Sequence, residues 1–226
     1  MKLSRTLLAH SAIAVIAIAG YAAARQQTGG GQGGAGGDAA PAQPDITEYL
    51  PHLRNMDPNA AMQRVMASMQ PGKPHEFLAK LAGEWDVTMR MWGDGADQPP
   101  MESKGSASAR MILGGRFLQY DTKCEIMGMT MEGTGLTGFS NDRNLFVGSW
   151  ANNMSTDLIP LAGSLDREGK VLTLIGLMNE PATGELAKPA KFVYRITGPD
   201  SYSFEAWEII YGDEWKVVES VHTRKQ

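Results

Sequence analysis

From Glu84 to Arg224 the chain breaks into about ten short runs in which apolar and polar residues alternate, each closed by a turn signal. The first run shows the pattern. Trp85, Val87, Met89 and Met91 alternate with Asp86, Thr88, Arg90 and Trp92, the period of a strand with one face on a core and the other in solvent. Asp94-Gly95 and Pro99-Pro100 then break the chain, and residues 101–112, 118–126, 129–137 and 145–150 read as further strands. Residues 156–165 and 170–178 flank a hairpin-like loop at Asp166–Gly169. After a polar loop at 179–189 with two prolines, residues 190–198, 201–211 and 214–224 form a three-stranded meander. With no long helix between the runs, the pattern specifies an antiparallel barrel or sandwich rather than an α/β fold. Closure into a barrel removes the edges that so many alternating strands would leave exposed. Glycines at 133, 135 and 138 are poor strand formers and mark a barrel bend or a close approach to the backbone.

Upstream, the composition changes three times. Lys2 and Arg5 precede an apolar run from Leu7 to Ala19, and Ala22-Ala23-Ala24 offers small residues for cleavage. Residues 1–24 thus read as a secretory signal cleaved after Ala24, since the apolar run is short for a membrane span. Residues 25–43 are rich in Gly, Gln, Ala and Pro and read as a disordered tether. The glycine run at 29–34 lacks the lysine, the following Ser/Thr and the preceding strand of a phosphate-binding loop. Residues 44–73 read as a peripheral helical segment. Asp57-Pro58 is suited to start a helix, Met62, Val65, Met66 and Met69 share one face to pack on, and Pro71-Gly72 ends it. A second short helix is expected from Pro74 to Ala82, and the barrel domain spans 74–226.

Loss of two cations with the leader takes the formal charge from −4 to −6. A mildly acidic mature chain argues against nucleic acid and anionic lipid as partners. Cys124 is the single cysteine, which excludes an internal disulfide, and within a strand-like run it reads as a buried thiol. His10, His52, His75 and His222 are scattered without metal-ligand spacing, so no metal and no cofactor is expected. Glu205 and Glu208 fall on opposite faces of one strand. Glu125, Glu132 and Glu219 are candidates to point inward, with Arg116 or Arg195 as ion-pair partners.

Gly83-Glu84-Trp85, at the head of the first strand, resembles the Gly-x-Trp signature of lipocalins and related calycin barrels. In that superfamily the tryptophan closes one barrel end under an arginine from the last strand, and Arg224 is placed for that role. The preceding short helix, Gly114-Gly115-Arg116-Phe117-Leu118, Gly135-Leu136-Thr137-Gly138-Phe139, Trp150 and Thr223-Arg224-Lys225 together resemble the domain-of-unknown-function 1579 family of exported bacterial proteins, over about residues 74–226. The resemblance implies an all-β, lipocalin-like (calycin) antiparallel barrel of about ten strands, preceded by short N-terminal helices. It brings no assigned reaction. This chain departs from the pattern at Phe139, where tyrosine is common, and at Ala151-Asn152-Asn153, where an acidic residue is expected.

A barrel of this size can leave an interior for a small apolar ligand. Tyr120 and Trp150 are the first pocket candidates, having small or polar strand companions. Met129 and Met131, with Met127 beside them, offer adaptable thioethers, and Phe204 and Glu219 complete the set. The methionine ladder could alternatively hold Cu(I). Gly83, Trp85 and Arg224 are expected to close the barrel. The expected function is non-enzymatic binding of a small hydrophobic or amphipathic molecule by a periplasmic or secreted protein. Two alternatives stand beside it: a hydrolase- or isomerase-like enzyme using Glu219 or Glu125 as general base, and a filled barrel that serves as a structural or interaction module.

Overall fold

The computed structural model describes residues 57–93 and 99–226, and the chain divides into two compact units, Met1–Met69 and Gln70–Gln226. The expected leader at 1–24, the tether at 25–43, residues 44–56 and His52 lie outside the described residues.

In the first unit, helix α1 (Pro58–Ser68) begins where the sequence predicts. Asp57 Oδ1 accepts from the Asn59 amide at 3.0 Å, and Pro58, whose missing N–H is no loss in a first turn, follows it. The expected apolar stripe is not uniformly covered. Met66 and Met69 are exposed, and burial centres on Ala61.

The second unit is a ten-stranded closed antiparallel barrel entered through helix α2 (Lys73–Leu81). Its strands are β1 (Gly83–Met91), β2 (Met101–Ile112), β3 (Phe117–Ile126), β4 (Met129–Ser140), β5 (Leu145–Asn152), β6 (Ile159–Leu165), β7 (Val171–Glu180), β8 (Glu185–Gly198), β9 (Ser201–Ile210) and β10 (Asp213–Arg224). Every strand pairs with its sequence neighbours, and β1 pairs with β10 in the register Trp85↔Arg224, Val87↔His222, Met89↔Ser220. No sheet edge is left over, which is how a chain of short amphipathic strands avoids edge-to-edge association. The largest departure from the expected strand boundaries is at β8. β8 begins at Glu185, and Pro189 sits opposite Leu177 inside the ladder. The extended β7 supplies a partner for a stretch that is too polar and proline-bearing to declare itself as a strand.

The up-and-down order sorts the connections onto two ends. The lower end carries the β2–β3, β4–β5, β6–β7 and β8–β9 connections, the terminus of β10 and the entry from α2. The upper end carries the other five hairpin connections. Helix α2 packs on β2, β3 and β4 and buries Phe77, Leu78 and Leu81 against Trp85, Leu118, Phe146 and Leu172. Phe77 meets Phe146 edge-on at 6.3 Å. The helix start is tied down by His75, whose Nδ1 accepts from the Gly72 amide at 3.0 Å. Helix α2 therefore plugs the lower end of the barrel, with a small void of about 20 Å³ left among Leu78, Leu118, Tyr120 and Leu172.

Candidate functional site

The lower seal is built from the two ends of the barrel chain. Trp85 is 1 % exposed, and its Nε1 donates to the Leu81 carbonyl at 3.0 Å, locking α2 to β1. The Arg224 guanidinium carbon lies 4.2 Å from the Trp85 ring centroid. Arg224 Nη1 donates to the Ala82 carbonyl at 2.9 Å, and Nε to Asp200 Oδ1 at 3.1 Å. The arginine thereby satisfies a carbonyl at the α2 terminus. Gly83 explains the first letter of the signature. Its φ is +141°, and a Cβ there would lie 2.1 Å from Arg224 Nη1. Only a bare α-carbon lets the guanidinium settle onto the indole.

Above this seal the strand interiors enclose a cavity of about 260 Å³. The small inward residues Ala107, Ala109, Ala190 and Ala206 make the room, and Val87, Met89, Leu161 and Phe192 supply apolar wall. On one side Tyr120 and Trp150 stack, with ring centroids 5.6 Å apart and planes 9° from parallel. The stack depends on β4. Tyr120 and Trp150 both stand opposite Gly135 in the register of the sheet. A Cβ on Gly135 would lie 2.0 Å from the Tyr120 ring, and one on Gly133 would lie 2.2 Å from Trp150. The glycines flagged as close-approach positions are the bed on which two aromatic rings lie flat.

Across the cavity Phe204 meets Tyr194 at 4.9 Å and Phe192 at 6.3 Å. Tyr194 Oη donates to Tyr120 Oη at 3.4 Å, long for a hydroxyl pair. Burial raises the Tyr120 hydroxyl above its ordinary range and raises that of Tyr194 further. Toward the seal, His222 stacks on Tyr202 at 4.1 Å, with Nε2 2.9 Å from Ser220 Oγ. His222 Nδ1 is buried without a hydrogen-bond partner. Burial pushes the imidazole down to about 4, so it is neutral at pH 7.

Of the residues expected in the pocket, Tyr120, Trp150, Met131 and Phe204 do line this cavity, and Met129 and Glu219 do not. Met129 shares the inward face of β4 with Met131, yet it is the first residue after the turn and stands above the cavity, 52 % exposed. Met127 is 74 % exposed on that turn, so the three methionines form no common ligand site. Glu219 lies on the outer face of β10, ion-paired to Lys216 at 2.9 Å. Glu132 pairs with Lys123 at 2.8 Å, and Glu125 accepts from Thr130 at 2.8 Å. These carboxylates are thus partnered outside the barrel by Lys216, Lys123 and Thr130, rather than by Arg116 or Arg195 within it, and neither Glu219 nor Glu125 is placed as a general base for the cavity.

Sequence reasoning left several lining residues out of the pocket, among them Met89, Phe192, Tyr194, Tyr202 and, on β10, Ser220 and His222. Strand parity was the available signal: if Arg224 covers Trp85 from inside, then His222 and Ser220 face inward and Glu219 outward. Cys124 is buried among Met89 and Met131, and burial raises its thiol, as for an inert side chain. Among the described residues no three His, Cys, Asp or Glu side chains gather as a metal site would require.

The class defined by this architecture is a closed ten-stranded, lipocalin-like antiparallel barrel with a helix and a Trp–Arg pair across one end. Residues 70–224 match the family model described as "Protein of unknown function (DUF1579)", and the chain belongs to that family. Among solved structures it is similar to the crystal structure of Rv2717c from M. tuberculosis, at 17% sequence identity and a TM-score of 0.51, over 70% of this chain and 100% of that one. At that identity the likeness concerns the fold alone. No curated protein matches the chain.

Proposed function

We propose that the barrel binds a small hydrophobic or amphipathic molecule in the cavity above the Trp85–Arg224 seal, and that the protein is exported. The carrying observation is the cavity itself: about 260 Å³ bounded by aromatic, methionine and alanine side chains in a barrel whose lower end is plugged by α2. A chain with no use for that space could fill it by lengthening its alanines. A ligand that removes its own apolar surface from water recovers about 25 cal/mol per Å². The exposed apolar side chains support the same reading. Met101, Met127, Met154, Leu158, Leu186 and Tyr211 lie at the upper end, against Leu113 at the lower end, and so surround the route by which a poorly soluble ligand would reach the cavity.

Native mass spectrometry of residues 25–226, purified gently from an exported preparation, tests this reading. A reproducible added mass that is lost on denaturation supports it and gives the ligand's chemical class. Uniformly apo protein that also fails to take up apolar probes would favour the filled interaction module. Export is checked separately: an extracytoplasmic fraction should contain protein beginning at Arg25.

A further inference from the structure

We infer that the cavity is selective for an uncharged ligand of about ten to twelve non-hydrogen atoms, carrying a hydroxyl or carbonyl oxygen that meets the Tyr120–Tyr194 hydroxyl pair. The inference rests on the binding reading above and narrows it by charge, size and anchor.

Charge is decided by what the wall lacks. No lysine or arginine is among the described residues lining the cavity. The one carboxylate there, Glu208, is held by Lys188 at 2.7 Å, so neither member is free to neutralise a ligand. The remaining ionisable lining groups are Cys124, the three tyrosines and His222, and burial shifts each toward its neutral form. A carboxylate or ammonium brought into such a wall gives up its hydration for no counter-charge, and the penalty outweighs the burial of a small apolar body. A hydroxyl or carbonyl incurs a far smaller penalty, provided that it finds a hydrogen bond.

Size follows from volume. A dry core cavity of about 150 Å³ takes up benzene, so about 260 Å³ corresponds to a body near the size of two fused rings. The anchor follows from the tyrosine pair. Two buried hydroxyls at 3.4 Å make a weak bond with each other; Thr137 is a second hydrogen-bond partner of the Tyr120 hydroxyl, and the Tyr194 oxygen, which donates its proton to Tyr120, keeps acceptor capacity. An oxygen placed between them can replace one long bond with two of ordinary length. The orphaned Nδ1 of His222 lies deeper, and its neutrality keeps that end of the site uncharged as well.

Calorimetric titration of the apo protein at pH 7.5 with naphthalene, 2-naphthol and 2-naphthoate separates these elements, because the three share one body. The expected order is 2-naphthol tightest, naphthalene roughly tenfold weaker, and 2-naphthoate at least roughly a hundredfold weaker than 2-naphthol. In the Tyr120→Phe/Tyr194→Phe double variant, 2-naphthol should fall to the affinity of naphthalene, with naphthalene unchanged. Naphthoate binding as tightly as naphthol would overturn charge selectivity while leaving a ligand-binding barrel standing. Naphthol affinity indifferent to the tyrosine variants would overturn the anchor. Failure of all three compounds would remove this inference together with the binding reading beneath it.

Discussion

His222 shows how a single buried side chain ties fold to pH. Its ring lies against Tyr202 and its Nε2 on Ser220, and burial lowers its pKa. An unfolded chain protonates this imidazole below about pH 6.5, whereas the folded one resists until about 4. The unfolded state therefore binds more protons throughout that window. Stability is unaffected by His222 above about pH 6.5 and declines as pH falls from there toward 4, by an amount on the order of 3 kcal/mol in total. Urea unfolding at intervals from pH 7.5 to 4 should show a steeper loss in the wild type than in His222→Gln, which cannot titrate. Parallel curves for the two proteins would place the imidazole in water rather than in the wall. The same residue shows what a sequence withholds. Period-two alternation makes the strands of this chain legible, but the inward face of β10 is fixed only by a tertiary fact, the position of Arg224 over Trp85. Glu219 reads as a pocket residue and His222 as one more scattered histidine unless residues are counted by twos back from that anchor, a count that the expected position of Arg224 already allows. With it the two exchange roles.

At the scale of elements, the seal behaves as one unit assembled from α2, β1 and β10. Gly83→Ala places a methyl where Arg224 Nη1 now lies and forces a side chain onto a φ of +141°, for a loss of about 2 kcal/mol or more. Arg224→Ala removes the guanidinium from the indole and from the Ala82 carbonyl. The losses should not add, because once Arg224 is gone the clash at position 83 disappears and only the backbone strain remains. A double-mutant cycle by chemical denaturation is expected to give a coupling of about 1 kcal/mol; additive losses would mean that Gly83 serves the backbone alone. The upper hairpins carry a different kind of local cost. Met127-Gly128 and Tyr211-Gly212 are two-residue loops with positive φ at both positions, the conformation in which Asn-Gly is favoured. Met127→Asn should thus stabilise the barrel by roughly 0.5–1 kcal/mol, seen as a raised urea midpoint with unchanged slope. These turns were legible from their glycines. The Pro189 portion of β8 was not, because its strand character comes from pairing with β7 and not from its own sequence.

For the whole molecule, the decisive question is whether the interior space is a defect of packing or the reason for the barrel, and a substitution that fills it distinguishes the two. Ala206 faces the cavity from β9, opposite Phe192 on β8 and Val218 on β10, away from the Trp85–Arg224 seal and from the Tyr120–Trp150 stack. Ala206→Leu adds apolar volume at a residue that lines unoccupied space. If the cavity is a functional compromise, this variant should be as stable as the wild type or more stable by about 1 kcal/mol, and it should lose most of its capacity for apolar probes. The paired readout matters more than either half, since an overpacked barrel would also stop binding but would unfold earlier. Lower stability together with lost binding would mean that the space was already matched to its walls. Unchanged binding with raised stability would direct attention from the interior to the apolar hairpins of the upper end. The expected pair, firmer folding with an emptied function, follows from the architecture: a lower end plugged by α2 and the Trp85–Arg224 pair carries the stability, and the barrel is left hollow above it.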